Sequence, residues 1–207
     1  MSADNGSDAG LVCFGRMTAS VSHEFKNHLA TIREKAGLLT DLLTLAARGR
    51  EVDFERLAGI AADIQQRTAD ADAVVKRLNA FAHSTDHPLA EVPVDESVEL
   101  TLNLYARLAA MRGVSFDPQG DAGVVVSTRP FLLMQLLLAC LDAVMDSVED
   151  GAQVTVTTRA TPEGAEIAFS AGGGGQASQM AELLDALSAT AVAEAGSGLV
   201  LRLPKNV

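Results

Sequence analysis

Residues 20–29 read SVSHEFKNHL, and three of them carry reactive groups at close spacing: His23, Glu24 and Asn27. A neutral imidazole is a usable nucleophile at cellular pH, because an ordinary histidine side chain titrates near pH ~6.5. A carboxylate hydrogen-bonded to one ring nitrogen fixes the tautomer, aims the other nitrogen outward and stabilises positive charge as it develops. A carboxamide one helical turn along can orient an attacking water or a phosphoryl oxygen. Such a trio suits phosphoryl capture and release, where catalysis is mostly positioning. It does not suit zinc. A zinc helix needs two histidines four apart, whereas His23 and His28 are five apart, roughly 140° around a helix at about 100° per residue. The expectation is no bound metal.

The surrounding pattern says which way each side chain points. With Val21 at 0°, Phe25, Ile32, Ala36 and Leu39 fall within about 60° of it and define an apolar stripe. His23 falls at about 200°, almost opposite, so its ring is expected to meet solvent. Asn27 lies about 40° from it on the same face, one turn along. His28 falls at about −20°, on the stripe, and is expected to be partly packed. Spacing alone is equally compatible with an ordinary solvated helix face.

Helical spacing runs from Leu11 to about Arg48 and includes Leu43. RGREVD then breaks it with Gly49 and offers Asp53 as the N-cap of a second helix. That helix carries Leu57, Ala61, Ile64, Thr68, Ala71, Val75 and Leu78, close to a heptad stripe. Two long helices with a short loop form an antiparallel hairpin over residues 11–83. One hairpin cannot bury a stripe on both sides, whereas two can, so a homodimeric four-helix bundle is expected. Residues 1–10 read as a disordered acidic tail, and residues 84–94, with Pro88 and Pro93, as a linker.

From residue 95 to 207 the period changes. A helix over Asp95–Arg112 is followed by short strands at VSF and VVVS, and Pro130 opens a strongly apolar helix to about Val148. QVTVTTRA and AEIAFS alternate as a β-hairpin around TPEG, a helix spans Gln179–Leu187, and GLVLRLP is the last strand. The fold class is therefore α+β: a long helical hairpin, then a small α/β sandwich with a mixed or antiparallel sheet and helices on one face.

The 207 residues are 48% hydrophobic, enough for one or two real cores, and the net charge of −11 argues against a nucleic-acid partner. The opening residues lack the basic start and apolar core of a signal peptide. The apolar runs read as interrupted or too short for the about 20 residues of a membrane span, so a cytoplasmic protein with no membrane contact is expected. Cys13 and Cys140 match no metal spacing and read as two reduced thiols.

SHEFKNHLATI resembles the H box of bacterial sensor histidine kinases, whose pattern is His-Glu-aliphatic-Arg-Asn-Pro-Leu. The resemblance implies that His23 is the phospho-acceptor, Glu24 its acid–base partner and Asn27 the residue that assists dephosphorylation of the receiver. Lys26 stands at the usual arginine, toward the receiver partner, and His28 replaces the usual proline. The family's dimerisation and phosphotransfer domain is also a two-helix hairpin dimer.

RPFLLMQLLLACLDAVMDS resembles the family's N-box helix, with the Mg²⁺-binding asparagine falling on Ala139 and with Asp142 and Ala143 kept. The first glycine box aligns with AGGGG. Its adenine-reading aspartate falls on Ala171, and Gly173 and Gly175 are retained. The second aligns with GSGLVL, keeping Gly196 and Gly198 but with Val200 at a usual glycine, and the chain ends at Val207 without the helix and strands that follow in the family. Mg²⁺ needs oxygen ligands, and the lost adenine contact is worth roughly 1.5–3 kcal/mol. The resemblance thus implies a degenerate ATPase-like domain with no cofactor. The function expected is a histidine phosphotransferase of a phosphorelay, taking phosphoryl from one receiver aspartate and passing it to another. The alternatives are a divergent ATP-dependent histidine kinase and a non-catalytic dimeric adaptor that binds a receiver.

Overall fold

The computed structural model describes residues 3–172, 178–194 and 198–207 and divides into two compact units. One unit is Thr18–Asn79; the other combines Met1–Met17 with Ala80–Val207. These bounds differ from the expected domain break at residues 83–84, because helix α1 (Ala3–Ala47) and helix α2 (Phe54–His83) each contribute an end to the second unit. The expected disordered tail is corrected in the same way. Residues 3–10 are helical, and Gly10 is buried where Phe131 and Gln135 approach to 3.4 Å of the position a Cβ would take.

In the hairpin unit the chain turns at Gly49, in the left-handed region at φ +77°, and Asp53 accepts the Glu55 amide at 2.9 Å, as an N-cap does. Val21, Ile60, Ala71 and Val74 are buried, and Phe25, Ile32, Leu39, Leu57, Ile64 and Leu78 are half-buried. The α2 stripe therefore runs Leu57, Ile60, Ile64, then Ala71, Val74, Leu78, two three–four steps of a heptad separated by a turn in which Arg67 and Thr68, the latter expected on the stripe, are exposed. Ala61 and Val75, expected on it, lie one position off and are exposed.

The second unit is built on a five-stranded sheet in the order β2-β4-β5-β7-β6. Its strands are β2 (Ser115–Gly120), β4 (Gln153–Thr161), β5 (Gly164–Phe169), β6 (Thr190–Glu194) and β7 (Gly198–Pro204). β2 runs parallel to β4 and the other neighbours are antiparallel, so the sheet is mixed, as expected. A second, two-stranded antiparallel sheet joins β1 (Ala90–Pro93) to β3 (Val125–Thr128). The second half of the expected linker is thus a strand. Pro93, which has no amide hydrogen to donate, ends it and leads straight into helix α3 (Val94–Ala110).

One face of the large sheet is apolar because of period-two alternation: Val154, Val156, Ala165, Ile167, Phe169, Leu199, Leu201 and Leu203 are all buried. Helix α4 (Pro130–Ser147) lies in the core with ten buried residues, from Leu133 to Met145. It is also the one described helix long and apolar enough to cross a membrane by length and composition, which the sequence reading had put below that threshold. Its last turn has no basic residue of its own. Arg112, just past α3, supplies one: the guanidinium donates to the carbonyls of Met145 and Val148 (2.7 Å to the latter) and to Asp150 Oδ1 at 2.7 Å. Helix α5 (Ser178–Ala186) completes the helical elements.

Candidate functional site

His23 sits on the exposed face of α1, as the wheel requires, and so do Lys26 and Asn27. The position follows from the stripe: Val21 and Phe25 turn inward, and residues two positions from each must turn outward. His28 is half-buried, as expected. The Asn27 Nδ2 lies 3.3 Å from His23 Nδ1, a contact across one helical turn. In this orientation Nδ2 donates to Nδ1, and a neutral ring then carries its proton on Nε2. Turning the carboxamide over puts Oδ1 there to accept from Nδ1–H, which leaves the Nε2 lone pair facing solvent.

Glu24 is placed differently from its neighbours. It is half-buried, and its Oε1 accepts from Arg77 Nη2 of α2 at 2.8 Å. Adjacent residues of a helix do not face each other, and Glu24 is turned toward α2 rather than toward the ring. The structure thus brings Asn27 to His23 and takes Glu24 to Arg77. Arg77 is the residue that sequence reasoning missed. Its only signal was position: it immediately precedes Leu78 of the α2 stripe, where a long cationic side chain can reach across to α1.

In the second unit, Ala139 on α4 lines a cavity of about 320 Å³ with mostly apolar walls, including Val12, Leu132 and Leu138, and with Arg16, Gln135, Asp142 and Glu182 as its polar lining. At its edge Asp142 is fully engaged: Oδ1 accepts from the Tyr105 hydroxyl at 2.6 Å and Oδ2 pairs with Arg16 at 2.7 Å. Burial, then the bond to Asp142, pushes the Tyr105 hydroxyl well above the usual phenol range, so it stays the donor. Burial pushes the Cys140 thiol up to about 12, which keeps it protonated and inert. No group of three or more metal-ligating side chains occurs among the described residues.

The glycine runs divide between described and undescribed residues. Gly173, Gly175 and Gly196 lie outside the described residues. Gly198, aligned with the family's second glycine box, opens β7 and pairs with Glu194. Residues 198–204 form strand β7, as expected for GLVLRLP, and strand β6 precedes it at Thr190–Glu194. Glycine is needed at position 198 for a steric reason. Its φ is +80°, and a Cβ there would stand 2.2 Å from the Phe169 carbonyl oxygen.

No family model matches the chain, and no curated protein does. Solved structures do. The nucleotide-free catalytic domain of the histidine kinase ThkA superposes with a TM-score of 0.50 over 58% of this chain and 99% of that one, at 8% identity. The fold is that of a histidine kinase catalytic domain. The histidine kinase AdeS of Acinetobacter baumannii is similar over 84% of this chain and 97% of its own, with 11% identity and a TM-score of 0.49. The ATP-binding domain of PrrB from Mycobacterium tuberculosis is similar over 57% and 98%, with 17% identity and a TM-score of 0.47. Within the kinase catalytic fold of this chain, Ala139 presents a methyl group to the cavity and Asp142 is already neutralised by Arg16.

Proposed function

We propose that this protein is a cytoplasmic histidine phosphotransferase of a two-component relay, with His23 as the phospho-acceptor and response-regulator receivers as its partners. The observation that carries this reading is the exposed His23 ring with a carboxamide on Nδ1, standing on a two-helix hairpin. The Nε2 lone pair attacks the phosphorus of a receiver's aspartyl phosphate. The N–P bond forms as the P–O bond breaks, and the electron pair leaves with the aspartate carboxylate. Positive charge that develops on the ring is stabilised when Nδ1–H hydrogen-bonds to Asn27 Oδ1, and the Nδ1 proton is taken up by the Glu24 carboxylate as acid–base partner. The reverse reaction passes phosphoryl to a second receiver. Asn27 also orients the water that removes phosphoryl, and Lys26 meets the receiver's acidic surface. The test is transfer of labelled phosphoryl from purified phosphorylated receivers, with acid-labile label on this protein as the expected result; absence of label favours a non-catalytic adaptor.

The proposal includes loss of nucleotide binding. Ala139 and Ala171 carry no side-chain oxygen for Mg²⁺ or adenine at the positions that align with the family's asparagine and aspartate, and the Asp142 carboxylate of the cavity is paired with Arg16. Mg²⁺–ATP at millimolar concentration should therefore leave the melting temperature unchanged. A ligand bound to the folded state at 100 times its dissociation constant would add about 2.7 kcal/mol. The catalytic fold itself favours a second reading, a divergent ATP-dependent kinase. A clear thermal shift with autophosphorylation of the purified protein would select it.

The reading also includes a homodimer through the hairpins. Leu38 and Leu45 of α1, about 20° apart around the helix, are exposed, which leaves each hairpin an apolar strip that a second copy can cover. A Leu38→Asp, Leu45→Asp double variant should turn the dimer into a monomer by light scattering, since a charge in that interface costs several kcal/mol. A wild-type chain that is monomeric at micromolar concentration would remove the dimer from the proposal.

A further inference from the structure

The group nearest to His23 in sequence is not the group on its ring. Glu24 is committed across the hairpin to Arg77, at 2.8 Å, and both side chains are largely withdrawn from water, with 30% and 24% exposed. Asn27 has the ring instead. The two arrangements have opposite consequences for Nε2. An amide N–H donated to Nδ1 selects the tautomer with the proton on Nε2, which has no lone pair there to attack phosphorus. A carboxylate on Nδ1 selects the opposite tautomer and leaves Nε2 bare, and it is the stronger acceptor because it is charged. Glu24 adjoins the histidine in sequence, and loss of its cross-hairpin partner would free its side chain to change rotamer.

We infer that Arg77 is a positioning residue: by holding Glu24 in a cross-hairpin ion pair it keeps the carboxylate off the His23 ring and restrains phosphoryl acceptance. The inference rests on the phosphotransfer reading for its functional consequence and on geometry alone for its structural one. An anionic group of a docked receiver that competes for the guanidinium would release Glu24 to the ring, coupling docking to activation of the nucleophile. Lys35 and Asp63 form a comparable pair between the same helices at 2.7 Å, but neither adjoins the histidine, so that pair serves as the internal control.

The experiment uses the full chain labelled with ¹⁵N-histidine, as wild type and as Arg77→Gln, Glu24→Gln, the double variant, Arg77→Lys and Asp63→Asn. Ring ¹⁵N shifts of His23 in the unphosphorylated protein report which nitrogen carries the proton. Acceptance rate is read from a receiver domain loaded with acetyl phosphate. Arg77→Gln should move the ring toward the Nδ1–H tautomer and raise acceptance roughly five-fold, within what a positioned base contributes. The double variant should match Glu24→Gln in both readouts, while Arg77→Lys and Asp63→Asn should match wild type. Arg77→Gln that leaves the folded protein's tautomer unchanged, or that acts equally with and without Glu24, overturns the inference. If Arg77→Gln fails to fold, Glu24→Gln alone decides: an unchanged tautomer supports a carboxylate already off the ring, and a shift toward Nε2–H overturns it. A wild type that takes no phosphoryl defeats the phosphotransfer reading, and the tautomer comparison still decides the role of Arg77.

Discussion

His23→Ala should leave a folded protein that takes no phosphoryl from any phosphorylated receiver, with acid-labile label falling to background. The reason is the exposed face itself. Its polar neighbours are Lys26 and Asn27, neither of which offers a neutral aromatic nitrogen lone pair at cellular pH. His28→Ala should retain the label, because its ring is half-buried on the apolar stripe and its removal costs about 1 kcal/mol of stability instead. The comparison is decisive because the two histidines are five residues apart and face different ways. Label that persists in His23→Ala and vanishes in His28→Ala would reverse the site.

Gly198→Ala should lower the melting transition of the α/β unit sharply. The backbone there has φ +80°, and the new Cβ would meet the Phe169 carbonyl oxygen at 2.2 Å and the Ala171 nitrogen at 2.6 Å. Those are backbone atoms of the neighbouring chain segment, so no side chain can move aside. Strain of this kind costs about 3 kcal/mol, or roughly 6–12 °C for a unit of this size by calorimetry. If Gly198 were instead a loop glycine kept for close approach to a phosphate, the alanine variant would melt like wild type and the loss would be in nucleotide binding. Gly172 also has a left-handed backbone, at φ +99°, but there a Cβ would meet a side-chain atom, Val144 Cγ2 of α4, at 2.9 Å.

The two halves of the chain were unequally legible. The outward ring of His23, the half-buried His28 and the Asp53 cap depend on spacing within one helix, which the sequence contains in full. The same is true of the hairpin QVTVTTRA–AEIAFS and of α4, whose signals are local alternation and a proline at the first helical position. The strand TAVAE was not legible, because small residues carry little alternation and its strand character comes from pairing with β7. GSGLVL was legible in two ways, since a glycine pair before an apolar run reads alike as a phosphate loop or as a turn into a strand. Pairing with β5 and β6 decided it.

The sequence by itself determined the chemistry available to this protein: a histidine, a carboxamide and a carboxylate on one helix, the ring turned outward by the helical period. It also determined the order of helices and most strands, since 3.6 and 2.0 periods are properties of consecutive residues. Which groups meet was decided by the tertiary structure. Glu24 and Arg77 are 53 residues apart, Tyr105 and Asp142 are 37 apart, and Arg16 reaches Asp142 from the first helix. No local pattern encodes those contacts. They arise when burial of the stripes and the sheet face brings distant segments together, and a half-withdrawn charge must then find a partner among whatever that packing has placed within reach.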